Sequence, residues 1–325
     1  MNTTAIPTLD DIQAAQRLLA LYLPPTPMWS YPALDAATGA RVAVKLENVQ
    51  PVGAFKVRGG LNLVANLSAT DRKRGVVAYS TGNHAQSIAY AAAQLGVPCV
   101  IVMPENPNPI KAASVRALGA ELVEHGPTFD EASAYAVSLA ERRGMYLVSA
   151  ANDARILAGV ATLYVEMLEK QPDLDVIVVP VGSGTGAAAA CLVTRALAPG
   201  CRVIAVQSSA SPAGHDSWHA GHCVTRPNRT RVEGIATGSG FELTQQIMRE
   251  LLADFVLVLD DDIAAAQRMM LRTAHTLPEG AGAASLAGVL ALADELAGLH
   301  VGVVCTGANA SEDEIRACLR ADRLA

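Results

Sequence analysis

Residues 176–186 read VIVVPVGSGTG. Val176, Ile177, Val178 and Val179 form an unbroken β-branched run, the pattern of a strand buried on both faces. Pro180 ends it, and Gly182-Ser183-Gly184-Thr185-Gly186 leads into a helical stretch. Strand, glycine-rich turn and helix in that order form the unit of a parallel sheet covered by helices. The turn offers successive backbone N–H groups at a helix N-terminus, a nest for an anion. A nucleoside triphosphate loop needs GxxxxGK[ST], which is absent. A dinucleotide fingerprint needs GxGxxG and an acidic residue ending the next strand. Here the spacing is GxGxG and the next strand ends at Gln207. A single phosphate monoester fits best, beside the plainer reading of a glycine turn for tight helix packing.

The rest of the chain repeats the alternation. Strands are expected at 42–46, 76–80, 99–103, 121–123, 145–148, 176–180, 203–206, 255–259 and 301–305. Helices are expected at 9–22, 57–66, 84–95, 109–118, 130–143, 154–170, 186–197, 242–252, 261–275, 282–296 and 313–321. This spacing predicts an α/β fold of mostly parallel sheets covered by helices. Residues 208–240, rich in Ser, Pro, Gly, His and Asn, have no clear period. They read as a functional excursion or as a surface loop with a short helix.

Composition narrows the function class. Of 325 residues, 51% are hydrophobic and 17% charged, enough for a large core and against disorder. The net charge is −6 and no basic patch interleaves with aromatics, which argues against nucleic acid. The N-terminus lacks a basic segment before an apolar core, and no uninterrupted run of about 18 apolar residues occurs. Neither a signal peptide nor a membrane span is expected. The six cysteines, at 99, 191, 201, 223, 305 and 318, form no CxxC pair and no zinc spacing, as in a reducing, cytoplasmic setting.

Three other loops at strand ends carry polar groups. Gly53-Ala54-Phe55-Lys56-Val57-Arg58-Gly59-Gly60 follows the first expected strand and opens a helix. A buried lysine cation there is costly unless bonded or neutralised. Condensation with an aldehyde removes the charge and creates a reactive centre. Read alone, Lys56 is also an ordinary lysine reaching back to water. Ser80-Thr81-Gly82-Asn83-His84-Ala85-Gln86 joins a strand end to a helix start. Free N–H groups, two polar side chains and the small Gly82 make a cradle for a carboxylate. The alternative is a plain helix cap, with His84 in a structural hydrogen-bonding role. Cys305-Thr306-Gly307-Ala308-Asn309 sets a neutral hydroxyl at a strand's carboxyl end, where open α/β sheets bind ligands, or is a simple turn.

In this order and spacing, the four segments resemble the fold-type II pyridoxal 5'-phosphate (PLP) enzymes over residues 10–315. The resemblance is to the threonine and serine dehydratase branch, with serine racemase a near relative. It implies a two-lobed, tryptophan synthase β-like fold with two open twisted sheets. Residues 1–47 and 149–325 would form a large PLP-binding domain, and 48–148 a small domain carrying Lys56 and the carboxylate loop. It implies that Lys56 holds the cofactor as a Schiff base and then shuttles the α-proton. Phe55 packs near the ring, Asn83 hydrogen-bonds its 3'-oxygen, and Thr306 faces its pyridine nitrogen. Gly182, Ser183, Gly184 and Thr185 hold the phosphate. Ser80, Thr81, Gly82 and His84 surround the substrate carboxylate, and Glu279 lies near the cofactor. The implied reaction is α,β-elimination from a β-hydroxy-α-amino acid to a 2-keto acid and ammonia, by a homodimer. A racemase or a β-replacement enzyme shares every motif. A non-catalytic PLP-binding protein would lose the cradle at 80–86, which is intact.

Four positions depart from the resembled pattern. Ala54 replaces a frequent serine, with no expected loss of the Schiff base. Thr81 stands where racemases commonly present serine, so racemisation is not favoured. Gln207 replaces a carboxylate that ligates a divalent cation in many relatives. A neutral amide is a weaker ligand for a hard cation, and no metal is expected. Ser149-Ala150-Ala151-Asn152-Asp153 replaces a His-Pro-aromatic run beside the substrate side chain. If Ala151 lines the pocket, the space admits a β-substituent larger than methyl, such as the ring of phenylserine. The other reading is a loop that has moved. No chain follows Ala325, so feedback control through a further regulatory domain is not expected.

Overall fold

The structure, a computed structural model, describes residues 5–107 and 109–320. Its strands are β1 (Met28–Ser30), β2 (Arg41–Leu46), β3 (Val76–Tyr79), β4 (Cys99–Met103), β5 (Glu121–Glu124), β6 (Tyr146–Leu147), β7 (Val176–Pro180), β8 (Arg202–Ser208), β9 (Asp254–Val258) and β10 (His300–Cys305). The apolar runs take the central places that bury both faces: every residue of β10 is buried, as is β7 up to Pro180. One sheet has the order β1-β2-β10-β7-β8-β9 and the other β5-β4-β3-β6. All pairs are parallel except β1 with β2. The chain is thus α/β, with two mostly parallel sheets covered by helices. The four-stranded sheet comes wholly from residues 76–147, and the six-stranded one from 28–46 and 176–305.

Each expected strand is present: 99–103 and 176–180 match at both ends, and the others shift by a residue or two. β1 was not legible: it has three residues, of which only Met28 is buried, too few to show alternation. Short helices at Pro32–Thr38 and Ala69–Arg74 are also additional, and Ala213–Ala220 is a short helix of the kind one reading of the 208–240 stretch included. The helix expected at 282–296 divides into Gly280–Ala291 and Ala293–Leu296. The last helix runs Glu312–Arg320, and its expected end at 321 lies outside the described residues. Helices Lys56–Ala65, Asn83–Leu95 and Thr185–Leu197 begin one residue earlier than expected. Lys56, Asn83 and Thr185 are therefore first residues of helices, where the backbone N–H groups have no acceptor within the helix.

Helix Lys56–Ala65 is buried from Val57 to Val64 and lies between helices Asn83–Leu95 and Ala154–Lys170. At the first crossing Gly60 faces the backbone of Ser87; a Cβ on Gly60 would lie 2.7 Å from the Ser87 carbonyl oxygen. At the second, Arg58 anchors the helix through charge. Its Nε and Nη2 donate to Glu47 at 2.8 Å each, and Nη1 and Nη2 donate to Glu166 at 2.7 and 2.9 Å. Lys45 Nζ also donates to Glu166. Two cations and two carboxylates cancel, and saturation of their hydrogen bonds makes the burial tolerable. Burial alone would raise the Glu47 carboxyl; the Arg58 guanidinium overrides it and holds the group below the usual range.

Candidate active site

The site begins with the turn before Lys56. Gly53 accepts from the Ala308 N–H (2.9 Å), Phe55 N–H donates to the Thr306 carbonyl (3.0 Å), and Ala54 bridges Gly307. The Lys56 loop is thereby fixed on the loop after β10. Lys56 is half-buried, with Nζ 4.7 Å from the Phe55 ring centroid. It donates to Thr185 Oγ1 at 3.0 Å, so the amine stands at the mouth of the glycine loop. Burial pushes this amine down to about 8, against the opposing pull of the Glu279 charge. About a tenth of the amine is then neutral at pH 7, far more than for an ordinary lysine, which makes it a competent nucleophile.

Gly184 caps the following helix at φ +86, a left-handed conformation that other residues adopt only under strain. Thr244 Oγ1 donates to the Ser183 carbonyl (2.8 Å) and Thr237 Oγ1 to the Gly182 carbonyl (3.2 Å). The carbonyls are held from behind, and the N–H groups of the helix start are left for an anion. A Cβ at Gly182 would lie 2.8 Å from the Gly234 carbonyl oxygen, so the loop is closely backed as well.

On the other side a polar chain crosses the site. Asn309 Nδ2 donates to Asn83 Oδ1 at 2.7 Å, and Asn83 Nδ2 donates to Glu279 Oε1 at 2.6 Å. Burial pushes the Glu279 carboxyl up to about 7; Asn83 works against this and Glu314 adds to it. Asn83 and Glu279, 196 residues apart, thus meet across the site. Thr306 is buried beside them, its carbonyl engaged by Phe55. Ser80 Oγ accepts from Gly82 N–H at 3.1 Å, and Thr81 is exposed.

One expectation, an open pocket wall at Ala151, needs correction. His84 is buried, and its Nε2 has no hydrogen-bond partner among the described residues. Burial, with the Lys56 charge, pushes its imidazole down to about 3, so the ring is neutral. Ala151 is fully enclosed at 0% exposure, so it does not form an open pocket wall. Its N–H approaches Ser149 Oγ (3.4 Å) in the tight turn before helix Ala154–Lys170, which folds the residue inward. Gln207 is buried in β8, its Oε1 accepting from His215 N–H at 3.0 Å.

Sequence reasoning missed Asn309, which stood within a quoted motif, and the Lys111 pair. Lys111, on helix Pro109–Ala117, bonds Glu233 from across the chain, and its charge acts on Glu279. A lone Lys and Glu 122 residues apart carried no local signal.

The donor set fits an aldehyde that carries a phosphate ester. An amine lowered to about 8 sits 3.0 Å from the Thr185 hydroxyl of an anion nest, and a buried His84 nitrogen is still without a partner among the described residues. Comparison with known proteins agrees. The profile of the family described as "Pyridoxal-phosphate dependent enzyme" matches residues 19–307. The chain is 37% identical over 303 residues to an L-threonine ammonia-lyase of Thermotoga maritima, covering 93% of this chain and 75% of the relative. It is 33% identical over 305 residues to an L-threo-3-hydroxyaspartate ammonia-lyase of Saccharomyces cerevisiae, covering 94% of each. Among solved structures, maize serine racemase superposes with a TM-score of 0.91 at 28% identity, covering 97% of each chain. With the amine, the phosphate nest and the profile in agreement, the chain belongs to the family of pyridoxal-phosphate-dependent enzymes.

Proposed function

We propose that the protein is a dehydratase that converts a β-hydroxy-α-amino acid of the serine, threonine or 3-hydroxyaspartate class to a 2-keto acid and ammonia. The observation that carries the reading is the Lys56 amine, lowered to about 8, at 3.0 Å from Thr185 on the glycine loop. The ammonia-lyase names of its relatives support it.

Pyridoxal phosphate, when bound, supplies the electron sink that lets an α-carbon–hydrogen bond break heterolytically. The chain's own residues do the rest. Gly182, Ser183, Gly184 and Thr185 receive the phosphate on backbone N–H groups. Lys56 Nζ is the amine that would hold the aldehyde and, as a neutral base, would take the α-proton. Asn83 would face the ring's 3'-oxygen and Phe55 would pack beside the ring. Glu279 holds Asn83 in place. Thr306 would offer an uncharged hydroxyl to the ring nitrogen. Ser80, Thr81, Gly82 and His84 receive the substrate carboxylate, with the neutral His84 contributing a hydrogen bond rather than charge. We place the lobe boundary at 47/48 and 148/149, and take the assembly as a homodimer in the cytoplasm, where its six unpaired cysteines stay reduced.

A β-aryl substrate such as phenylserine rested on an open wall at Ala151. That residue is enclosed, which removes the argument for phenylserine and supports threonine as the better candidate. Racemisation is the second reading, favoured by the likeness to maize serine racemase. A keto-acid assay with serine, threonine, 3-hydroxyaspartate and phenylserine tests both. Keto acid and ammonia in equal amounts support the dehydratase. Recovery of only the mirror-image amino acid rejects it.

A further inference from the structure

Helix Ala213–Ala220 lies outside the site described above and carries two histidines one turn apart. Residues i and i+4 share one face of a helix, and two histidines at this spacing form a recognised chelating pair. Here the rings converge: His215 Nε2 and His219 Nε2 are 3.1 Å apart, with ring centroids at 4.4 Å. With metal–nitrogen bonds of about 2.05 Å, that separation subtends roughly 98° at a shared ion. The value lies between an octahedral angle of about 90° and a tetrahedral one of about 109°.

The surroundings orient the pair. His215 Nδ1 lies 3.0 Å from Asp216 Oδ1, and Asp216 Oδ2 accepts from Arg226 Nε. A carboxylate on Nδ1 fixes the tautomer whose Nε2 carries the lone pair, the arrangement found behind metal-bound histidines. The helix start is tied to β8 through Gln207 Oε1 and His215 N–H, and Phe255 meets the His215 ring edge-on at 5.5 Å. His215 is therefore held in place, while His219 is exposed and open to an ion from solvent.

We propose that His215 and His219 form a two-histidine chelate for a late first-row divalent cation, Cu2+, Ni2+ or Zn2+. Imidazole nitrogens select these ions over Mg2+ and Ca2+, which take oxygen ligands. Among the described residues no group of three or more His, Cys, Asp or Glu gathers, so water completes the coordination sphere. The place differs from Gln207, where the sequence argued against a cation. On metal binding the N–H···N contact between the rings opens, and the proton on His219 Nε2 passes through solvent to Nδ1, leaving both Nε2 lone pairs on the ion.

The test is calorimetric titration of the untagged holoenzyme with NiCl2 and CuCl2, repeated on His219→Ala and Asp216→Asn. The intact protein is expected to bind one equivalent, with the Cu2+ electron paramagnetic resonance spectrum split by two nitrogens. His219→Ala, an exposed change, should weaken binding at least tenfold and lose the two-nitrogen pattern. Asp216→Asn should weaken it about 10-fold, the usual effect of removing a partner behind a ligand. Turnover without added metal should be the same in all three proteins. Absence of binding to the intact protein, or equal binding and an equal spectrum in His219→Ala, overturns the proposal and leaves the contact as a hydrogen bond between rings.

Discussion

Gly60→Ala sets two effects against each other at the point that fixes the distance between Lys56 and Asn83. Gly60 is one turn beyond Lys56, and Ser87 one turn beyond Asn83. Alanine gains about 1 kcal/mol in helix propensity over glycine. Its Cβ would lie 2.7 Å from the Ser87 carbonyl oxygen and 3.0 Å from both Ser87 C and Oγ. Ordinary contact begins near 3.4 Å, so the helices must separate by about 0.7 Å. The obstacle is backbone, which cannot rotate away. A gap of that size forfeits a quarter to a half of the dispersion energy of each contact it opens, about 1–6 kcal/mol for one buried Leu-sized side chain. The collision therefore wins, with a net loss of about 2 kcal/mol in urea unfolding. Displacement of Lys56 relative to Asn83 should also cut keto-acid turnover by at least roughly tenfold. Gly200→Ala, with nothing within 4 Å, is the control and should change stability by less than about 0.5 kcal/mol. A Gly60→Ala protein as stable and as active as its parent would refute the reasoning.

Arg58→Met should cost about 3–5 kcal/mol at neutral pH, because Glu47 is left charged and wholly buried. The Glu47 carboxyl is depressed in the folded parent, so its contribution is present above the unfolded pKa and lost as pH falls through the lower folded value. The gap between parent and variant should narrow on acidification, and a gap independent of pH in denaturant titrations would contradict the assignment. For Lys56, pushed down to about 8, only the neutral amine attacks an aldehyde. Uptake of pyridoxal phosphate by cofactor-free protein, followed by absorbance, should speed up about tenfold per pH unit below 8 and level off above it. A rate flat from pH 6 to 9 would count against it.

Much of this was legible in the chain because the signals are local. Val176 to Val179 announce a buried strand, and Gly182 to Thr185 a nest at a helix start. Lys56, Asn83 and Thr185 fall one residue before their expected helices because the first helical residue keeps the loop's chemistry. What escaped depends on residues distant in sequence. Arg58 and Glu166 are 108 residues apart, and nothing in either neighbourhood announces a buried ion pair. Asn309 acquires its meaning only when β10 delivers it to Asn83, 226 residues away. Ala151 misled for the same reason: a small residue opens space only if its surroundings leave it open, and the turn at Ser149 folds it inward.

The central claim is that one amine, that of Lys56, carries the cofactor. Borohydride reduction of the protein loaded with pyridoxal phosphate, followed by peptide mass mapping, addresses it directly. A single pyridoxyl group on Lys56, absent from Lys56→Ala, is the predicted result. A stoichiometric label on another lysine, or none on a protein that retains full turnover, would contradict the account.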